Sequence, residues 1–419
     1  MSSVLVERIK LLQSVHKKLQ KGHIVLNPDR KHFGFQDLRQ MFDVTKSDVK
    51  GYPCVTEDVS VCGMQVAIKV IPFSTSHELD RHPANIEIDL LKEFTKLVES
   101  FATPHITHYL FDTLVHNKKR AMTQFPLKSI RKIAYPYSRV LVSEYVDGGS
   151  IQEWAHEGKI AEKKWKYIVF AVAWTLVVLQ DRYKFVHGDL HYGNVLVDTT
   201  SDKRGTMRYT LNTSKGLGSS KRVFEVPCCG VVPKLWDLEF SSAYDMETIG
   251  RNRFFSWDHA SIPNTFDPYF DIHSFMVSIL ELDIPESLRA YVHKLYPEQL
   301  IPDLDSESES ASTSDSWSTA SAASGEAGSE YESEYTSDDE SSIASEYYDT
   351  DEESVLSDCP QKHLDGTRLK MGYEKYFTLP TPMDILEGEY LSEFSRVRKR
   401  GKPPIAEFRY AMKHALPKK

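Results

Sequence analysis

The stretch HGDLHYGNVLV, residues 187–197, sets Asp189 and Asn194 five positions apart on a glycine-containing turn ahead of an apolar run. Two readings fit those residue types. One is a carboxylate that accepts a proton beside an amide oxygen that ligates a cation; the other is a turn-forming pair before a strand. The rest of the chain bears on the choice. Moving a γ-phosphoryl group needs a cation on the phosphates, a carboxylate to fix that cation, oxygen ligands for Mg²⁺ and an acceptor for the hydroxyl proton. In chain order the sequence offers Lys69 within VAIK, then Glu87, Asp189, Asn194 and Asp237.

Those side chains need elements to hold them. Residues 65–71 (QVAIKVI) form a β-branched run typical of a strand, with Lys69 in its middle. After Pro83, Ile86, Leu90, Leu91, Phe94 and Leu97 keep helical spacing, which places Glu87 on a helix. Glu93 lies on the same predicted helix as a competing carboxylate. Residues 139–146 (RVLVSEYV) read as a strand that ends at Asp147-Gly148-Gly149. A helix is expected over 162–183, carrying Trp165, Ile168, Val169, Val172, Leu176 and Leu179 on an apolar face. After the strand 195–197 a long polar loop is expected, and then a strand within 231–240 that reaches Asp237. Strands precede helices and a glycine-rich hinge divides them, so the fold class is α+β, in two lobes with a cleft between them.

VAIK, HxDLxxxN and a later strand-terminal Asp resemble the signature set of eukaryotic protein kinases, over roughly residues 40 to 300. HGDLHYGNVLVDTT, then MRYTLN, PCCGVVPKLWDLEFS and FDPYFDIHSFM, is similar to the haspin-type kinases, and in style to kinases encoded by large DNA viruses. The resemblance implies a serine/threonine protein kinase that uses Mg²⁺ and ATP. By motif position, Lys69 would bind the phosphates with Glu87 as its partner. Asp189 would be the catalytic base, Asn194 and Asp237 the metal ligands, and Asp271 a brace for the catalytic loop. The segment 144–149 would meet the adenine through backbone groups, with Glu144 and Val146 beside it and Asp147 or Ser150 near the ribose.

The sequence departs from that pattern in three places. Ahead of VAIK the window TKSDVKGYPCV keeps only Gly51 of a phosphate-covering glycine loop, with Lys46 and Asp48 where two glycines would fall. Gly188 stands where the family has Arg, and Leu238-Glu239 stand where it has Phe-Gly. Together these imply a site assembled without a phosphorylation switch. Two rivals stay open: a small-molecule phosphotransferase of the aminoglycoside or choline type, which shares HGDLHxxN, and a catalytically silent scaffold. For His187 and His191 the expected roles are structural hydrogen bonds.

Composition sets the outer bounds. The chain has 419 residues, 41% of them hydrophobic and 26% charged, as in globular proteins. Its longest apolar run, 168–179, is too short to span a bilayer, and the N-terminal residues lack the pattern of a signal peptide. Five cysteines form no pair or cluster with zinc spacing, which suits a reducing compartment, cytoplasmic or nuclear. The net charge of −9 includes 18 acidic residues, and no Lys or Arg, between Asp303 and Asp358, so the remainder is mildly basic at +9. That balance suits a phosphate-bearing ligand rather than nucleic acid. The expected organisation is an N-terminal helical extension over 1–35, an N-lobe over 36–143 and a C-lobe over 144–302. A disordered acidic insertion over 303–358 follows, and 359–419 returns to the C-lobe. The insertion reads as a spacer, a target of acid-directed kinases, or a surface for basic proteins such as histones. The run RVRKRGK at 396–402 reads as a nuclear-import signal, a phosphate-contacting patch or a solvated helix end.

Overall fold

The computed structural model describes residues 3–20, 43–44, 55–61, 64–73, 83–116, 137–199, 202–212, 220–246, 265–297, 300–301, 379–395 and 403–413. Helix α1 (Val4–Gln20) buries Leu5, Ile9, Leu12, Val15 and Leu19, a 3–4 spacing that gives one apolar stripe. Five strands then build an antiparallel sheet: β1 (Asp43–Val44), β2 (Val55–Val61), β3 (Met64–Phe73), β4 (Tyr109–His116) and β5 (Tyr137–Glu144), in the order β1-β2-β3-β5-β4. Between β3 and β4, helix α2 (Pro83–Glu99) packs Leu90, Leu91, Phe94 and Val98 inward. Glu87 shares that buried face, at the i−3, i−4 and i−7 positions relative to Leu90, Leu91 and Phe94.

Past β5 the chain becomes mostly helical. Ser150 caps the short helix α3 (Ile151–His156) through a reciprocal capping box with Glu153. Helix α4 (Glu162–Tyr183) is the axis of this region. Its residues from Tyr167 to Leu179 are all buried, as expected of a helix apolar around its whole circumference. Against it lie α5 (Phe270–Ser278) and, beyond α6 (Glu286–Leu295), α7 (Pro382–Glu387), which buries Ile385 and Leu386. Two small antiparallel ladders frame the loop between them. Strand β6 (Phe185–Val186) pairs with β11 (Ser242–Ala243), and β7 (Val195–Asp198) pairs with β10 (Val232–Leu235). The protein is therefore mixed α+β.

The expectation of a long polar loop after residue 197 is overturned. Strands β8 (Thr206–Asn212) and β9 (Lys221–Pro227) form an antiparallel pair, and β12 (Ala406–Ala411) joins β8 in parallel, with Phe408 opposite Tyr209. Met207, Tyr209 and Leu211 alternate inward and join Phe170, Trp174, Phe224 and Phe408 in one aromatic cluster. This sheet depends on a partner strand about 200 residues away, so no local pattern announces it. The strand expected within 231–240 also stops at Leu235, before Asp237. Gly51, the acidic tract 303–358 and the basic run 396–402 lie outside the described residues.

Candidate active site

Strand β3 places Lys69 on the same face as Ala67 and Ile71. Its Nζ donates to Glu87 Oε2 at 2.9 Å and to Asp237 Oδ1 at 3.2 Å, and it lies 3.8 Å from Glu239 Oε2. The Trp236 ring sits 5.6 Å from the same ammonium, within cation–π range. Lys69 and Glu87 are both buried, whereas the side chains of Asp237 and Glu239 keep 30% and 31% of their exposure. The cluster therefore has one dry end and one open to solvent. Burial pushes the Glu87 carboxyl up to about 7 against the opposing pull of Lys69. Asp237 goes the other way: burial would raise it, but Lys69 holds it below the ordinary carboxylate range.

Asp237 adopts φ 59°, a left-handed backbone that an L-residue takes only at a cost. It follows β10, whose ladder with β7 carries Leu235 opposite Val195 and so brings the Asp237 segment beside Asn194. The backbone N–H of Trp236 donates to the Asn194 carbonyl at 3.2 Å. Asn194 Nδ2 in turn donates to the Asp189 carbonyl at 2.7 Å and to Asp189 Oδ2 at 3.2 Å. With its NH2 group facing Asp189, Asn194 has its amide oxygen as the available ligand atom.

The loop carrying Asp189 is braced from α5. Asp271 accepts the backbone N–H groups of His187 at 2.7 Å and Gly188 at 3.1 Å, and Ser241 Oγ donates to the His187 carbonyl. His187 is fully buried and donates Nε2–H to the Trp236 carbonyl at 3.0 Å, while burial pushes its ring down to about 4. It packs as a neutral ring. His191 Nδ1 accepts from Gly193 N–H at 3.0 Å, and its Nε2 stands 3.8 Å from Asp189 Oδ2. Gly188 has φ +85°, and a Cβ there would come within 2.5 Å of the Phe240 carbonyl oxygen. Geometry thus excludes a side chain at this position, the arginine of the family pattern included.

The residues expected near a nucleotide base have the following partners. The buried Glu144 carboxylate accepts from Lys234 Nζ at 2.8 Å and Arg8 Nε at 2.9 Å, and its N–H donates to the His108 carbonyl. Burial would raise this carboxyl, yet Lys234 and Arg8 hold it below its usual range. Val146 is buried. The exposed Asp147 binds the N–H of Thr199 at 2.7 Å and its hydroxyl, and Gly148 N–H donates to the Val197 carbonyl. Sequence reasoning did not single out Arg8, Lys234 or Trp236. Glu239 lay in plain view two residues after Asp237, and its alternation with that carboxylate is the signal that could have found it.

The residues fit a magnesium nucleotide. Asp237 and Asn194 offer hard oxygen donors, Glu239 adds a second carboxylate nearby, and the buried Lys69 supplies a fixed positive charge for phosphate oxygens.

Residues 113–211 match the model of the ABC1 atypical kinase-like domain, a span that holds Asp189 and Asn194 but neither Lys69 nor Asp237. The chain is also similar to a protein of Acanthamoeba polyphaga mimivirus described as a putative serine/threonine-protein kinase, 24% identical over 254 residues and covering 52% of each chain. The chain thus spans about half the length of that relative. Both comparisons support a kinase-like protein.

Proposed function

We propose that this chain is an ATP-dependent serine/threonine protein kinase, two-lobed and haspin-like, whose cleft lies between the five-stranded sheet and the α4 region. The observation that carries the reading is one continuous cluster. Lys69 is held between Glu87 and Asp237, and Asp237 is tied through Trp236 to Asn194 and Asp189. Bound ATP and Mg²⁺ supply the phosphoryl group and the charge that offsets its oxygens. Lys69 steadies the phosphates, with Glu87 fixing its ammonium from the buried side. Asp237 and Asn194 hold the metal, and Asp189, oriented by Asn194 Nδ2, accepts the proton of a protein hydroxyl. The backbone of 144–149 would border the base, with Asp147 held by Thr199. The description of the mimivirus relative supports protein hydroxyls as acceptors, and the acidic tract 303–358 suits basic protein substrates in cytoplasm or nucleus.

Glu239 and His191 favour a second reading, a small-molecule phosphotransferase. Transfer of radiolabelled phosphate from ATP to a protein mixture, compared with aminoglycosides and choline, separates the two. Lys69→Ala, Asp189→Asn and Asp237→Ala should each lower Mg²⁺-dependent transfer at least about a hundredfold, as loss of a charge-stabilising group does. Asp189→Asn turning over like the wild type would end the proposal.

A further inference from the structure

Far from the Lys69 cluster, three side chains from three elements converge. His16 projects from the last turns of α1, Glu99 is the final residue of α2, and His108 immediately precedes β4. Glu99 Oε1 lies 3.1 Å from His16 Nδ1 and 3.2 Å from His108 Nε2, and the three atoms lie within 4.8 Å of one another. A tetrahedral metal with bonds of 2.0 to 2.1 Å holds its ligand atoms about 3.3 Å apart, close to both measured edges. We propose that His16, Glu99 and His108 form a binding site for a zinc-class divalent cation, distinct from the magnesium site.

The hydrogen-bond arithmetic around His108 favours a cation. Its Nδ1 faces the Tyr109 carbonyl at 2.7 Å and its Nε2 faces the Glu99 carboxylate, so both neighbours are acceptors only. With Nδ1–H donated to Tyr109, Nε2 faces a carboxylate oxygen, an opposition that a cation on Nε2, a proton or a metal ion, relieves. A metal ion resolves that opposition, and a backbone carbonyl fixing the far nitrogen is the usual second partner of a metal-bound histidine. His16 has an equivalent partner: its Nε2 lies 2.7 Å from the Gln20 amide, whose oxygen, after a half-turn of the amide, accepts Nε2–H and frees Nδ1. Two imidazoles and one carboxylate suit Zn²⁺ and its first-row neighbours, whereas Mg²⁺ prefers the all-oxygen set of Asp237 and Asn194.

The scaffold is in place before any metal binds. Gln13 Nε2 donates to the Glu99 carbonyl at 2.9 Å, which docks α1 on the end of α2. His108 is fully buried, while the His16 and Glu99 side chains keep 12% and 23% of their exposure, so solvent reaches the site from the side of His16 and Glu99. Occupancy would pin α1 to the helix that carries Glu87 and to the backbone that pairs with Glu144.

The test uses the full-length chain, freed of metal by a chelator and titrated with Zn²⁺ and, separately, Co²⁺. The wild type should retain about one equivalent of zinc after desalting, melt at a higher temperature when loaded, and give cobalt bands in the visible. His16→Ala and Glu99→Gln, both partly exposed, should fold like the metal-free wild type. Each should bind at least about a hundredfold more weakly, since even indirect partners of a metal cost tenfold or more. Absence of retained zinc in the wild type, or equal zinc content and cobalt bands in both variants, would show the cluster to be a hydrogen-bond relay and overturn the proposal.

Discussion

Lys69 meets three carboxylates, and only Glu87 among them is fully enclosed. That asymmetry makes Glu87 the pH-sensitive partner. Its carboxyl is pushed up to about 7 by burial, against 4.5 for the free side chain. As pH falls through 7 it gains a proton and the ion pair with Lys69 is lost, so phosphoryl transfer should show an acid limb near neutrality. Glu87→Gln mimics the protonated form and should be slow at every pH, with that limb missing from its kcat/KM profile; an unchanged limb would assign it to another group. Stability runs the opposite way. Between pH 4.5 and 7 the folded state binds the proton and the unfolded chain does not, so the Glu87 contribution is present at low pH and lost as pH rises through 7. Glu87→Gln should therefore melt no lower than the wild type at pH 8, separating its catalytic cost from any unfolding. Gly188 gives the converse case, in which the backbone alone is at stake. With φ +85° and a carbonyl 2.5 Å from any Cβ, Gly188→Ala should cost about 1 to 3 kcal/mol, read as a lowered Tm.

At the scale of elements, α1 is held to the rest of the protein by charge as well as by its apolar stripe. Arg8 reaches Glu144 Oε1, donates to the Tyr145 carbonyl at 2.6 Å and lies 3.4 Å from Asp198 Oδ2, so one side chain joins α1, the end of β5 and the end of β7. Lys234 completes the network from β10 with 1% exposure. Removing one member of a buried pair leaves its partner uncompensated, at about 3 to 5 kcal/mol. Lys234→Met should destabilise the fold by that order, read as a lowered Tm. Adding Glu144→Gln should recover part of the loss, and a thermal-melt double-mutant cycle reads the difference. None of this network was visible in the sequence, because its members lie 90 and 136 residues apart and each looks like an ordinary charged residue. What could be read was whatever has a local period. The α4 span 162–183 and the α2 start at Pro83 coincide with their apolar repeats, and VAIK lies within β3. The order of Lys69, Glu87, Asp189, Asn194 and Asp237 was likewise legible, because each sits beside a turn or in a patterned element. The β8-β9-β12 sheet was not, since one of its three strands lies beyond residue 403.

For the whole molecule, segments 104–108 and 232–237 join across a buried seam, and His105 there has no charge partner of its own. His105 is 1% exposed, donates Nδ1–H to the Pro233 carbonyl at 2.9 Å and accepts from Tyr209 OH through Nε2 at 3.0 Å. Thr107 N–H donates to the Leu235 carbonyl and Leu235 N–H to the His105 carbonyl, so this residue is part of the seam between the two segments. Burial pushes its pKa down to about 3, and that of His187, across the same β10 segment, down to about 4. Both values lie below the 6.5 of a histidine in an unfolded chain. Between 6.5 and the folded values the unfolded state binds more protons, so the stability tied to these two neutral rings is complete above pH 6.5 and drains away as pH falls towards 3 to 4. At about 1.4 kcal/mol per pH unit, the His105 ring accounts for about 5 kcal/mol at the acid end and the His187 ring for about 3 kcal/mol. Tm measured from pH 7.5 to 4 should therefore fall steeply below 6.5. His105→Gln keeps a donor and an acceptor without titrating, so it should start from a lower Tm at pH 7.5 and lose less on acidification. A variant curve parallel to that of the wild type would place the acid sensitivity elsewhere than in this seam.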